Sequence, residues 1–272
     1  LRTVRGPAGG VVEVICIDSG PGMPDVGLSL KDGHSTSGTL GIGLGAVFRL
    51  ADDCDVYSET GRGTVMVNRF HERADTPRQD WPSGGLTRPL GGETACGDIF
   101  AVHEDGPITF GMVCDGLGHG PLAAIAAQEA VRILRAGPPP VSPSEVLERL
   151  HRGLSHTRGG AISVVRIDRE TRQIRFAGLG NVSGWIVRPD GRQGMISVPG
   201  IAGHQARTFR EYGYELPPGA AVVLHSDGLT DRWDLTGYRG LLAQPALVIA
   251  ATLLRDKGVR RDDGGVLVIK PS

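Results

Sequence analysis

The sequence predicts an α+β fold in which stacked antiparallel sheets are covered by helices. Many short strand-like runs are separated by turn residues, and the few helical patterns are grouped together. No internal repeat or low-complexity tract interrupts them. The 272 residues suffice for one large domain or two of ordinary size.

Taken in order, "VVEVICID" (11–18) is apolar at nearly every position, as expected of a strand buried on both faces. "IGLGAVFRLAD" (42–52) suits a helix opened by glycines, and "CDVYSETGRGTVMVNRF" (54–70) suits a hairpin turning at "TGRG". Near residues 71–90 the chain becomes rich in proline, glycine and charge, without an apolar period, and reads as a linker. The expected organisation is a unit over 1–72, a linker over 73–90 and a second unit over 91–272.

In the second unit, "DIFAVHEDGPITFGMVCD" (98–115) gives two strands around a turn at "EDGP". Residues 120–137 read as a helix, with Pro121 in the first turn and a stop at Gly137 before three prolines. Residues 142–154 read as another, with Ser144 as N-cap and Val146, Leu147, Leu150 and Leu154 on one face. "AISVVRID", "QIRFAGLG", "GWIVRPDG", "AAVVLHSD" and "GVLVIK" follow as strands, interrupted by a helix at 243–256.

Composition narrows the function. The chain is 40% hydrophobic and 22% charged, as globular proteins are, and its net charge of −1 disfavours a nucleic-acid partner. No apolar run approaches the ~20 residues of a membrane helix, and "LRTVRGPAGG" lacks a signal-peptide core, so a cytoplasmic location is expected. The start at Leu1, directly in a strand-like pattern, reads as a fragment. Cys16, Cys54, Cys96 and Cys114 form no CxxC pair and read as buried free thiols of a reducing compartment.

Four places in the second unit put an aspartate beside a glycine where an apolar strand begins or ends. They are "CGD" (Asp98), "VCDG" (Asp115), "HSDG" (Asp227) and "RRDDGG" (Asp262 and Asp263). A single D-G pair is a turn signal. Four abutting strands can aim carboxylates at one point, where their mutual repulsion calls for a hard cation such as Mg²⁺ or Mn²⁺. Asp115 would be a shared metal ligand, and Gly116 would offer its carbonyl.

"GGETACGD", "VCDGLGHGPLAA", "LHSDGLTD" and "RRDDGGVLVIK" resemble, in order, the motifs of the metal-dependent protein phosphatase superfamily (PPM), nearest its RsbX/SpoIIE-type branch. The resemblance covers residues ~83–272. It implies a β-sandwich flanked by helices (α-β-β-α) that hydrolyses phosphoserine or phosphothreonine with two Mn²⁺ or Mg²⁺ ions. By position Asp98, Asp115, Asp227 and Asp262 would be metal ligands, joined by the Gly116 carbonyl, with Asp263 the lesser of its pair. Two metals ~4 Å apart can activate a water and stabilise the leaving oxygen, so no protein nucleophile is required. Many members place a histidine directly after the D-G pair. Here Leu117 stands there, and His119 becomes the candidate proton donor alongside Asp98 and Asp115, with a solvent-facing loop role as its alternative. "DDGG" also departs from the usual D-D-x-T.

"DSGPGM" (18–23), "GTLGIGLGAVFRL" (38–50) and "TGRGT" (60–64) together resemble the nucleotide-binding lobe of GHKL ATPases, nearest the RsbT/RsbW-type kinases. That likeness implies that Asp18 binds the adenine amino group, Gly20 and Gly22 shape the base pocket, and Gly41, Gly43 and Gly45 face phosphates. The family's upstream helix with its Glu and Asn has no counterpart before Asp18. A partial GHKL α/β sandwich is therefore expected, binding ATP weakly and without kinase activity.

The favoured expectation is a cytoplasmic phosphatase acting on a phosphorylated sigma-regulatory protein, with STAS-type anti-anti-sigma factors the substrate that the resemblance implies. The rival is a catalytically silent phosphatase fold that binds a sigma-factor regulator. Intact acids favour the enzyme; the truncated first unit and the "DDGG" loop favour the rival.

Overall fold

The computed structural model describes residues 1–6, 9–29, 43–73, 81–137 and 142–271. Strands β1 (Arg2–Gly6), β2 (Gly9–Ile17), β3 (Asp53–Glu59) and β4 (Gly63–His71) form an antiparallel sheet ordered β1-β2-β4-β3. Helices α1 (Val26–Ser29) and α2 (Gly43–Leu50) belong to this part of the chain.

Two further sheets form a sandwich. The first contains β5 (Ser83–Arg88), β10 (Ser183–Arg188), β11 (Gly191–Met195), β14 (Ala221–His225) and β15 (Gly264–Ile269), ordered β11-β10-β14-β15-β5. The second contains β6 (Asp98–Asp105), β7 (Ile108–Gly116), β8 (Gly160–Asp168), β9 (Gln173–Leu179) and β12 (Ser197–Val198), with β13 (Tyr212–Glu215) also paired to β9. Alternate residues of both sheets, among them Val113, Val165, Phe176, Ile186, Leu224 and Leu267, meet in a buried inter-sheet core.

Helices close both faces. On one, α3 (Pro121–Ala136) and α4 (Pro143–Gly153) pack Ala127, Val131, Leu147 and Leu150 against Met112 and Ile162. Pro121 supplies the preset φ at the start of α3. The N-cap of α4 is Ser142, whose Oγ accepts from the Glu145 amide at 3.3 Å, and not the expected Ser144. Pro143 takes the first helical position, so the cap falls one residue before it.

The opposite face is covered by α5 (Ala246–Lys257), in which every residue from Ala246 to Leu254 is buried. A helix apolar on all sides needs two partners. Its second partner is the N-terminal sheet, whose Tyr57, Val65 and Val67 share one core with Leu247, Leu253, Val223 and Val266. The first unit thus packs against the second through this helix.

Three further expectations are corrected. Strand β5, within the stretch 73–90 that reads as a linker, pairs with β15 along its whole length. Its "SGGLTR" is too glycine-rich to show a strand pattern, yet Gly84 is required, because a Cβ there would lie 2.5 Å from the Leu247 amide nitrogen. Strand β2 is not buried on both faces: Val11 and Glu13 are buried, whereas Ile17 is exposed. All four cysteines are free, but only Cys114 is buried, and Cys16 is exposed. Among the described residues, no helix is long and apolar enough to cross a membrane.

Candidate active site

Strand pairing builds the site. The register of β6 on β7 sets Asp98 directly opposite Asp115. Asp227 follows β14 and Asp262 precedes β15, two strands paired at the same end through His225 and Val266. The two sheets stack so closely that a Cβ on Gly265 would lie 3.0 Å from Cβ of Asp98. Glycine after the "DD" doublet is therefore what lets the first sheet approach Asp98 on the second. Asp115 and Asp227 come within hydrogen-bonding reach of one another, so that one proton can be shared between them.

Burial is the main force on these acids. It raises the Asp98 carboxyl well above its ordinary range; the Ser226 hydrogen bond opposes this, and the charges of Asp263, Asp227 and Asp262 add to it. Asp115 is raised by burial, then by Asp98, Asp227 and Asp262. Ser226 Oγ donates to Asp98 Oδ2 at 2.5 Å, while Asp98 Oδ1 is buried without a partner among the described residues.

Among the described residues, no three carboxylates close into a ready coordination cage. Several facts nevertheless fit a hard divalent cation. The donors are all oxygen, one buried carboxylate oxygen is unpartnered, and the converging charges repel. Gly116 fits too: its amide donates to Gly97 O at 3.0 Å, and a Cβ would lie 2.2 Å from Ala123 O, so no side chain can stand there.

Residues outside the predicted set hold the acids in place. Asp263, 2% exposed, accepts from Leu90 N at 2.7 Å through Oδ1 and from Gly97 N at 2.9 Å through Oδ2. It ties down the chain leading into Asp98, while Asp262 is less buried. The doublet alone gave no sign of this division. Asn181 donates to Asp227 Oδ2. Buried His225 backs the Ser226–Asp227 turn: burial lowers its pKa and keeps it neutral. Trp185 and Trp233 donate to its Nε2 at 3.2 and 3.4 Å, which leaves the proton on Nδ1 to reach Ser226 O at 2.8 Å. The "LHSD" strand end showed only the acid; these partners lie 40, 8 and 128 residues away from their mates and have no local sequence pattern.

His119 stands on the loop between Gly116 and α3, with its side chain 56% exposed and Nδ1 3.0 Å from Glu93 Oε1. In the N-terminal part, Asp18 Oδ1 accepts from the amides of Gly20 (2.7 Å) and Thr64 (3.3 Å). Gly22 has φ +69° and abuts Glu59 O, so only glycine fits. Gly43 and Gly45 open α2, whereas Gly41 lies outside the described residues.

The Stage II sporulation protein E (SpoIIE) family pattern matches residues 108–270. The chain belongs to the SpoIIE family. Its fold is accordingly that of the PP2C-type serine phosphatases, with the α-β-β-α sandwich expected from the motifs. Phosphoserine phosphatase RsbX of Bacillus subtilis is 26% identical over 139 residues, which is 51% of this chain and 69% of RsbX. A solved structure of RsbX in complex with magnesium superimposes with a TM-score of 0.59 at 23% identity, over 68% of this chain and 92% of that one. A chain from the bacterial stressosome gives 0.63 at 30% identity, over 69% of this chain and 97% of its own length. Serine/threonine-protein kinase RsbT of Bacillus subtilis is 47% identical over 62 residues, 23% of this SpoIIE-family chain and 45% of RsbT. The RsbT-like stretch therefore spans less than half of that kinase.

Proposed function

We propose that this chain is a divalent-metal-dependent phosphatase that removes phosphate from a serine or threonine of a sigma-regulatory protein, of the STAS anti-anti-sigma type. The observation that carries the proposal is that burial and mutual charge raise the carboxyls of Asp98, Asp115 and Asp227, with the charge of Asp262 acting on all three. The likeness to RsbX and to a stressosome chain supports the substrate class.

Asp98, Asp115, Asp227, Asp262 and the Gly116 carbonyl would hold two Mg²⁺ or Mn²⁺ ions. Once bound, such ions supply charge neutralisation, water activation and stabilisation of the leaving oxygen. Ser226, Asn181 and Asp263 fix the carboxylates before any ligand arrives, so little reorganisation is left for the reaction. His119, steadied by Glu93, is the side chain we assign to protonating the leaving alkoxide. Asp18, Gly20, Gly22, Gly41, Gly43 and Gly45 would give the RsbT-like part a weak contact with ATP, supported by that likeness alone.

Hydrolysis of p-nitrophenyl phosphate and of a phosphoserine peptide, measured with and without Mg²⁺ or Mn²⁺, tests the proposal. Metal-dependent turnover that Asp115→Asn abolishes is the expected result. Metal-dependent binding of a sigma regulator without turnover would instead favour a silent interaction module.

A further inference from the structure

We infer that Arg158 is the phosphate-binding residue of this site, the side chain that grips the phosphoryl group of the substrate. The inference rests on the phosphatase reading above for its substrate and on independent geometry for its place.

Strand β8 lies beside β7 in a register that pairs Ala161 with Asp115 and Gly160 with Gly116. The ladder continues one step beyond the strands, where Leu117 N donates to Gly159 O at 2.9 Å. Arg158 is the next residue on the β8 side, and Gly118 the next on the β7 side. Their closeness is direct: a Cβ on Gly118 would lie 3.2 Å from Arg158 Nη1. Gly118 in turn packs on Gly97, the residue before Asp98, with its carbonyl oxygen 3.4 Å from the Cβ position there. The guanidinium therefore sits against the loop joining Asp115 to α3, and that loop packs on the residue before Asp98.

The chain holds it there. Gly159 has φ +72°, and a Cβ on it would come within 2.2 Å of Ala202 O, so the backbone beside Arg158 is pinned against the 201–205 turn. His204 Nε2 lies 2.9 Å from Thr157 O on the other flank. The side chain itself is exposed and, among the described residues, has neither a hydrogen bond nor an ion pair. A cation beside the loop that leads from Asp115 into α3, unpaired with any carboxylate among the described residues, has its donors free for an incoming anion. The planar fork of arginine matches phosphate oxygens in a bidentate manner that lysine cannot reproduce. With no side chain at Gly118, nothing from that position crowds Nη1, which a Cβ would approach to 3.2 Å.

The test uses Arg158→Ala and Arg158→Lys in the full chain, with Arg135→Ala, at the last turn of α3, as a control. Binding of inorganic phosphate in the presence of Mg²⁺ is measured by calorimetry, alongside hydrolysis of a phosphoserine peptide. Arg158→Ala should weaken phosphate about 10- to 100-fold, as losing a charged hydrogen-bonded pair does. KM for the peptide should rise similarly, the Mg²⁺-induced thermal shift should be unchanged, and lysine should restore only part of the loss. Unchanged phosphate affinity in Arg158→Ala, or no phosphate binding by the wild type, overturns the inference. A wild type that binds phosphate through Arg158 but does not turn over would uphold it while refuting the phosphatase reading.

Discussion

Ser226 Oγ donates to Asp98 Oδ2 at 2.5 Å while accepting from the Gly265 amide at 3.0 Å. One hydroxyl therefore joins the end of one sheet to the carboxylate of the other, across 128 positions of sequence. Ser226→Ala should leave Asp98 buried without any side-chain donor. Weakened support of a metal-binding group typically costs about 10- to 100-fold in affinity. The Mg²⁺ concentration needed for half-maximal activity should rise by that factor, as a metal titration of hydrolysis will read.

Asp115→Asn removes one of several buried like charges. In metal-free buffer with a chelator the variant should melt at a higher temperature than the wild type, because the repulsion is relieved. Added Mg²⁺ should raise the wild-type melting temperature and leave the variant nearly unmoved. Differential scanning calorimetry with and without Mg²⁺ shows both effects.

Gly116→Ala should strike the fold and the site together. The new Cβ would lie 2.2 Å from Ala123 O and 2.9 Å from its carbonyl carbon, which are backbone atoms of α3 that cannot swing away. Overpacking of this kind costs about 1–3 kcal/mol. Chemical denaturation should show that loss.

The N-terminal sheet carries a buried ion network, in which Arg69 bonds Glu13 at 2.8 Å and Asp55 at 2.6 Å, and Glu13 also holds Arg2 at 2.6 Å. Glu13→Ala strips two arginines of a carboxylate, one of them 3% exposed. Removing one partner of a buried pair costs about 3–5 kcal/mol. Limited proteolysis should then cut the N-terminal 73 residues first, while the sandwich resists.

Much of this molecule was legible from short stretches. The α+β class, the hairpin β3–β4, helices α3, α4 and α5 and the acids at strand ends all follow from local periodicity and turn residues. A strand that ends in D-G beside apolar residues carries its meaning within a few positions. Strand β5 was not legible, because its glycines are dictated by Leu247 on α5 and carry no pattern of their own. The exposed face of β2 was not legible either, since its apolar run says nothing about which neighbours arrive.

The sequence by itself determined which acids are available, where strands stop, and the order of the phosphatase motifs. Only the tertiary structure decided that Asp263 ties the loop before Asp98, that Ser226 supports Asp98, and that α5 is shared by two sheets. The reason is physical. Local propensity acts over one turn or one strand, whereas a side chain's role at a site is set by partners brought together by sheet stacking, more than a hundred residues away.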